Sequence, residues 1–190
     1  MEFIDSALPG CRLIRMTPAG DARGYFVRTF CAREFSEQGL NPELAQASYS
    51  FNARRGTVRG LHFQAAPQME DKLVRCVRGA IFDVMVDIRP GSSTFGRWVG
   101  YELTEYNHMQ LHSVRGFAHG FQTLTDDCVV AYHIAQFYDP QKAAGVRWDD
   151  PDIGIDWPLP PTDQSPRDLQ LPRLADVDRG ALSPFAPAAS

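Results

Sequence analysis

From residue 46 onward the chain runs in short segments rich in β-branched and aromatic residues, each closed by a cluster of Gly, Pro, Asn, Asp or Ser. Short strands at regular spacing with turn residues between them are the signature of a sandwich or barrel. The spacing predicts strands at 46–52, 57–64, 72–77, 80–88, 97–104, 109–114, 117–124 and 128–137, folded as an all-β antiparallel β-roll. Within 80–88, Phe82, Val84, Val86 and Ile88 alternate with Ile81, Asp83, Met85 and Asp87, which gives one fully apolar face. Arg78-Gly79 reads as the tight turn of a hairpin joining 72–77 to 80–88, with Gly where positive φ is cheap.

The flanks are less regular. Residues 3–16 read as one or two edge strands around Pro9-Gly10, 25–30 as a strand after the Asp21 to Gly24 turn, and 32–38 as a short helix closed by Gly39. Beyond Tyr138 the Asp- and Pro-rich composition describes an ordered but irregular surface segment, and 182–190 a frayed tail. A length of 190 residues suits a single domain spanning 1–190 with a full core.

A formal net charge of −4 argues against a general nucleic-acid or membrane-surface binder, yet leaves room for a local basic pocket that takes a phosphorylated small molecule. The four cysteines lie far apart with no CxxC pair, so reduced thiols are expected. The N-terminus has neither a basic n-region nor a long apolar run. A soluble cytoplasmic protein is the expectation.

One stretch stands out, Arg59-Gly60-Leu61-His62-Phe63-Gln64, which holds one of only five histidines. In a strand His62 and Gln64 point one way, Leu61 and Phe63 the other. A lone histidine there is most simply a core residue bonded to backbone. Histidines on inward strands of a jelly roll suggest a metal cupin, but the residue two after His62 is Gln64, and His119 is the one other well-placed histidine. Two histidines without a clustered carboxylate make a poor site for zinc, iron or manganese, so no metal and no cofactor is expected. What remains is a polar set: His62, Lys72, His119 and Tyr132, with Arg23 and Arg59.

Together with their surroundings these residues resemble the dTDP-4-dehydrorhamnose 3,5-epimerase family of cupin-fold nucleotide-sugar epimerases. The resemblance runs through Asp21-x-Arg23-Gly24-Tyr25-Phe26, Gly56 to Gln64, Lys72 to Cys76, Asp83 to Arg89, Gly116-Phe117-Ala118-His119-Gly120-Phe121 and Gly154 to Pro158. It implies a cupin-type jelly roll with a few short helices that epimerises a nucleotide-linked 4-keto-6-deoxyhexose without a cofactor. By the same resemblance His62 is the base, Tyr132 the acid on the opposite face of the sugar and Lys72 the cation facing the enolate oxygen. Ser165-x-x-Asp168 offers Asp168 as the residue that orients the histidine. Arg23 and Arg59 are implied for the diphosphate or sugar, Tyr138 and Phe26 for packing on the nucleobase, and Gln46 and His119 for completing the pocket. The resemblance also implies a homodimer that exchanges N-terminal strands, with Arg23 serving the neighbour.

Three positions depart from the family pattern: Ser48 stands where many members have Asn, Arg28 where many have a carboxylate, and Val114 where many have Pro. The first two bear on the identity of the substrate. Alternatives are a 3-only or 5-only epimerase on a dTDP, GDP or CDP sugar, a non-catalytic sugar-binding cupin, and a metal-dependent cupin isomerase or dioxygenase.

Overall fold

The computed structural model describes residues 1–182. Thirteen strands and one α-helix follow in chain order: β1 (Glu2–Asp5), β2 (Cys11–Arg15), β3 (Ala19–Asp21), β4 (Gly24–Phe26), α1 (Ala32–Glu37), β5 (Gln46–Asn52), β6 (Val58–Gln64), β7 (Lys72–Arg78), β8 (Ala80–Asp87), β9 (Trp98–Thr104), β10 (Met109–Ser113), β11 (Phe117–Thr123), β12 (Cys128–Ile134) and β13 (Ala143–Gly145). Short 3₁₀ turns occupy Asp168–Gln170, Leu174–Asp176 and Arg179–Ala181. Among the described residues no helix is long and apolar enough to cross a membrane.

The strands form a six-stranded sheet ordered β1-β2-β10-β7-β12-β5 and a five-stranded sheet ordered β13-β6-β11-β8-β9, with β3 and β4 paired apart from both. Every strand pairing is antiparallel. The main core lies between the two sheets, with Val74, Cys76, Leu111 and Val130 from one meeting Ile81, Met85, Leu103 and Phe121 from the other. Stacked sheets with alternating inward residues are the sandwich that the spacing predicts.

Three expectations change. The hairpin at Arg78-Gly79 does not form, because β7 pairs with β10 and β12 while β8 pairs with β11 and β9. Gly79, at φ 81°, is where the chain crosses from one sheet to the other, and a Cβ there would stand 2.8 Å from the Cys128 sulfur. Periodicity identifies a strand but not its neighbours. The strand at 25–30 shrinks to β4, exposed on a two-stranded ribbon, because the chain then turns to set Phe30 against Phe35 of α1, ring centroids 4.8 Å apart. The segment beyond Tyr138 is more than surface: Val146, Ile153, Leu174 and Leu182 are buried against Leu61, Phe63, Val84, Val86 and Ile88 on the outer face of the five-stranded sheet. The apolar face of β8 is thus covered by the C-terminal segment, while its other face lines the inter-sheet core. Leu182 belongs to that buried layer, and the rest of the predicted tail, 183–190, lies outside the described residues.

On the six-stranded sheet, α1 and the N-terminal residues cover β2 and the start of β7 with Phe35, Phe3, Phe30 and Met1 around Ile14 and Leu73. The other half, β7-β12-β5, has no such cover among the described residues beyond the start of β7: Tyr49, Phe51 and Val77 stand exposed on it.

Candidate active site

The two sheets part at one end to leave a cleft of about 290 Å³. β6 and β11 form one wall. Their register sets His119 opposite His62, so both rings share the inward face. Glycines make this crossing possible: a Cβ on Gly60 would lie 2.6 Å from the Gly120 Cα, and one on Gly120 would lie 2.8 Å from the Arg59 carbonyl oxygen. Only residues without a side chain let the two backbones approach so closely.

Asp168 reaches this wall from the C-terminal segment. Residues 163–168 are pinned beside β6 by the Val58 N–H, which donates to the Asp163 carbonyl at 3.0 Å, and the Ser165 hydroxyl accepts the Asp168 N–H at 3.0 Å. The carboxylate then meets His62 Nε2 at 2.8 Å with one oxygen and accepts the Gly60 N–H at 3.2 Å with the other. Burial alone would raise the Asp168 carboxyl, but the hydrogen bond and charge of His62, with the Gly60 and Ser165 contacts, hold it below the usual carboxylate range. With Nε2 bonded to a carboxylate, the Nδ1 of neutral His62 is the ring's basic nitrogen.

His119 has a matching partner. Its Nε2 lies 2.7 Å from Asp83, which is fully buried and whose carboxyl burial pushes up against the opposing influence of His119 and Lys72. Two imidazole–carboxylate pairs therefore stand side by side on one wall. Among the described residues no three His, Cys, Asp or Glu side chains are grouped as metal ligands.

The facing wall comes from β12 and β5. Tyr132 shares a hydrogen bond of 3.2 Å with Ser50, and its ring sits edge-on to His119 with centroids 6.1 Å apart. Burial raises the Tyr132 phenol above its ordinary value, aided by the charge of Asp83 and opposed by Ser50 and Arg59. Lys72, at the start of β7, lines the floor and donates to the His62 carbonyl at 3.0 Å. Arg59 enters the cleft rim with its Nε bonded to Asn52 at 2.6 Å. Gln46 accepts the Tyr138 N–H at 2.7 Å, so its carbonyl holds the backbone of the rim residue Tyr138.

His62, Lys72, Asp168, His119, Tyr132, Arg59, Gln46 and Tyr138 thus gather at one site. Arg23 and Phe26 do not join them. Both lie exposed on the β3–β4 ribbon, where Arg23 pairs with Asp21. Arg28 is also away from the cleft, 3.4 Å from Glu34, whereas Ser48 lines it.

The family model described as dTDP-4-dehydrorhamnose 3,5-epimerase matches residues 5–176. The chain belongs to the dTDP-4-dehydrorhamnose 3,5-epimerase family. It is 44% identical over 178 residues to the dTDP-4-dehydrorhamnose 3,5-epimerase of Sinorhizobium fredii, covering 93% of this chain and 91% of that one. It is also 40% identical over 168 residues to the dTDP-4-dehydrorhamnose 3-epimerase of Streptomyces niveus, covering 87% and 81% of the two chains. In three dimensions it matches the crystal structure of dTDP-6-deoxy-D-glucose-3,5-epimerase from Legionella pneumophila, in complex with dTDP-4-keto-L-rhamnose, at a TM-score of 0.93 and 35% identity over 97% of this chain and 98% of that chain. The protein is an isomerase with the cupin-like β-fold of these epimerases.

For this member of the epimerase family, sequence reasoning missed Asp83, Gln64, Glu70 and Arg167. Asp83 had a signal, an acid on the inward side of a strand whose neighbours Ile81 and Met85 are apolar. Gln64 had one too, sharing the face of His62; its amide donates to the Gln68 and Phe137 carbonyls and accepts the Asp139 N–H at 2.7 Å. Arg167, beside Asp168 in sequence, lines the cleft next to His62. Glu70 sits in a loop whose sequence gave no sign that it turns inward.

Proposed function

We propose that this chain inverts C3 and C5 of dTDP-4-dehydro-6-deoxy-D-glucose to give dTDP-4-dehydro-L-rhamnose. The observation that carries the reading is the pair His62 and Tyr132 on facing sheets of one cleft, with His62 held by Asp168. His62 Nδ1 takes the proton next to the C4 ketone, and the electron pair moves onto the ketone oxygen. Carbon acids of this kind are too weak for imidazole unless the enolate charge is stabilised, which is the part of the Lys72 ammonium in a water-poor cleft. Tyr132 then gives a proton to the same carbon from the other side, and configuration inverts. Asp168 steadies the imidazolium that the first transfer creates.

Arg59 and Arg167 at the rim are assigned to the diphosphate, whose geometry suits a guanidinium fork, and Tyr138 to stacking on the base. Gln46 shapes this rim through Tyr138, and His119 binds the sugar beside His62. Arg23 and Phe26 are assigned to the cleft of a second copy in a homodimer with exchanged N-terminal strands. Two features support that assembly: the ribbon carrying both residues projects into solvent, and the β7-β12-β5 face is bare and apolar. A cytoplasmic location is part of the same reading, supported by four free cysteines.

A 3-only epimerase is the second reading, favoured by the 40% identity to the Streptomyces niveus protein. The test is proton exchange: incubate the protein with dTDP-4-keto-6-deoxyglucose in heavy water, with no reductase, and follow deuterium at C3 and C5 by NMR. Exchange at both carbons is the expected result. Exchange at C3 alone selects the second reading, and exchange at neither sinks both.

A further inference from the structure

The Lys72 ammonium is held by more than the His62 carbonyl. Glu70, two residues earlier, meets Lys72 Nζ with its Oε1 at 2.9 Å, and the two side chains are only 8% and 10% exposed. The other oxygen of Glu70 is buried with no hydrogen-bond partner among the described residues. An ammonium has three N–H groups; one donates to the His62 carbonyl, while Glu70 meets the charge as an ion pair. That leaves an N–H for whatever enters the cleft.

A carboxylate buried with one oxygen unpaired is an expensive way to build a wall, since buried polar atoms are nearly always satisfied and a desolvated ion pair rarely repays its own cost. The arrangement makes sense if the charge itself is needed. We propose that Glu70 is a positioning residue: it fixes the Lys72 ammonium in the cleft floor and aims it at the sugar's C4 oxygen. This deepens the epimerase reading above and rests on it.

The surroundings of Lys72 leave that task to Glu70. Across the cleft the ionisable groups are His62 and Arg59 of β6, His119 of β11, Tyr132 of β12, Tyr138 and Arg167. Asp83 of β8 acts on Lys72 only through space, its Oδ1 being bonded to His119. Behind the lysine stem lie Asp71, which accepts the Arg115 N–H, together with Glu43, His112 and His133. Glu70 is the one anion in direct contact with the ammonium among the described residues.

The test compares kcat and KM for wild type, Glu70→Gln, Glu70→Asp and Lys72→Gln, with thermal melts as a check of folding. Gln keeps the shape of the side chain but removes the charge. For Glu70→Gln, kcat is expected to fall by about tenfold or more with KM changed less than about twofold. Glu70→Asp keeps the charge on a shorter arm, so its kcat should fall less than that of Glu70→Gln. A Glu70→Gln variant with wild-type kcat overturns the proposal, as does a Glu70→Asp variant whose kcat falls as far as that of Glu70→Gln. Lys72→Gln separates the two levels of the argument: near-wild-type turnover there defeats the role given to Lys72 itself. Its loss of turnover, combined with a normal Glu70→Gln profile, defeats the role of Glu70 alone.

Discussion

On the mechanism proposed above, His62 serves as a base only while Asp168 holds its other nitrogen, so the two residues predict different losses. Replacing His62 by Ala removes the proton acceptor and should lower deuterium exchange into the substrate by about 10²- to 10⁴-fold, with the fold intact because the ring lines the cleft instead of filling the core. Tyr132→Phe removes only a hydroxyl and should still allow exchange at the carbon while blocking net inversion; unchanged product formation would refute its role as acid. Asp168→Asn leaves the shape but lets the imidazole take the wrong tautomer, and kcat should fall at least about tenfold. The same residue links activity to stability. Its folded carboxyl lies below the ordinary value, so its contribution is fully present above the unfolded value of about 3.9 and fades as pH falls through the lower, folded one. Urea unfolding should therefore show Asp168→Asn less stable than wild type at neutral pH, with the gap closing under acid; a gap constant with pH contradicts the assignment. At this scale the RGLH stretch marked His62 and the family resemblance marked Tyr132, and both line the cleft. Neither showed that Asp83 underlies His119: its apolar neighbours Ile81 and Met85 point to an inward side chain, but not to the ring it meets.

Elements hold these groups in place through two devices, a close crossing and an amide clamp. At the crossing Gly60 has φ 123° and no room for a Cβ against the β11 backbone. Gly60→Ala should cost about 3 kcal/mol or more in chemical denaturation, and it should also lower activity, because it moves His62 relative to His119. The clamp is Gln64, which ties β6 to the Phe137 to Asp139 loop by donating to the Phe137 carbonyl and accepting the Asp139 N–H, while its amide also donates to the Gln68 carbonyl. Gln64→Leu leaves three backbone groups unpaired and should destabilise the fold by about 1–3 kcal/mol. Since the loop carries Tyr138, KM for the nucleotide sugar should rise more than kcat falls; an unchanged KM would detach this loop from binding. Strand positions were legible because β-branched and aromatic segments alternate with turn residues, and because period-two alternation survives in β8. Strand partners were not. The connection at Gly79 satisfies a hairpin and a sheet-to-sheet crossing equally well, and only the packing of β7 against β10 and β12 decides.

For the whole molecule, what remains unexplained by one chain is its exposed apolar surface. Phe26 is 74% exposed and Tyr49 77%, and the ribbon bearing Arg23 and Phe26 touches neither sheet by strand pairing. The sequence carried no periodic sign of this, since a face covered by a partner has the same alternation as one covered by its own chain, as the C-terminal layer over β8 demonstrates. A charge on the bare face, Tyr49→Glu, should shift sedimentation equilibrium towards monomer. Mixing experiments then ask whose cleft Arg23 serves. Arg23→Ala and His62→Ala homodimers should each be nearly inactive. If Arg23 acts on its partner's site, a dimer with one chain of each kind contains one cleft with both defects and one with neither. Random exchange makes half of the dimers mixed, so about a quarter of wild-type turnover should return on mixing equal amounts. If Arg23 served its own chain, each chain would carry one lesion in its own cleft and mixing would restore nothing.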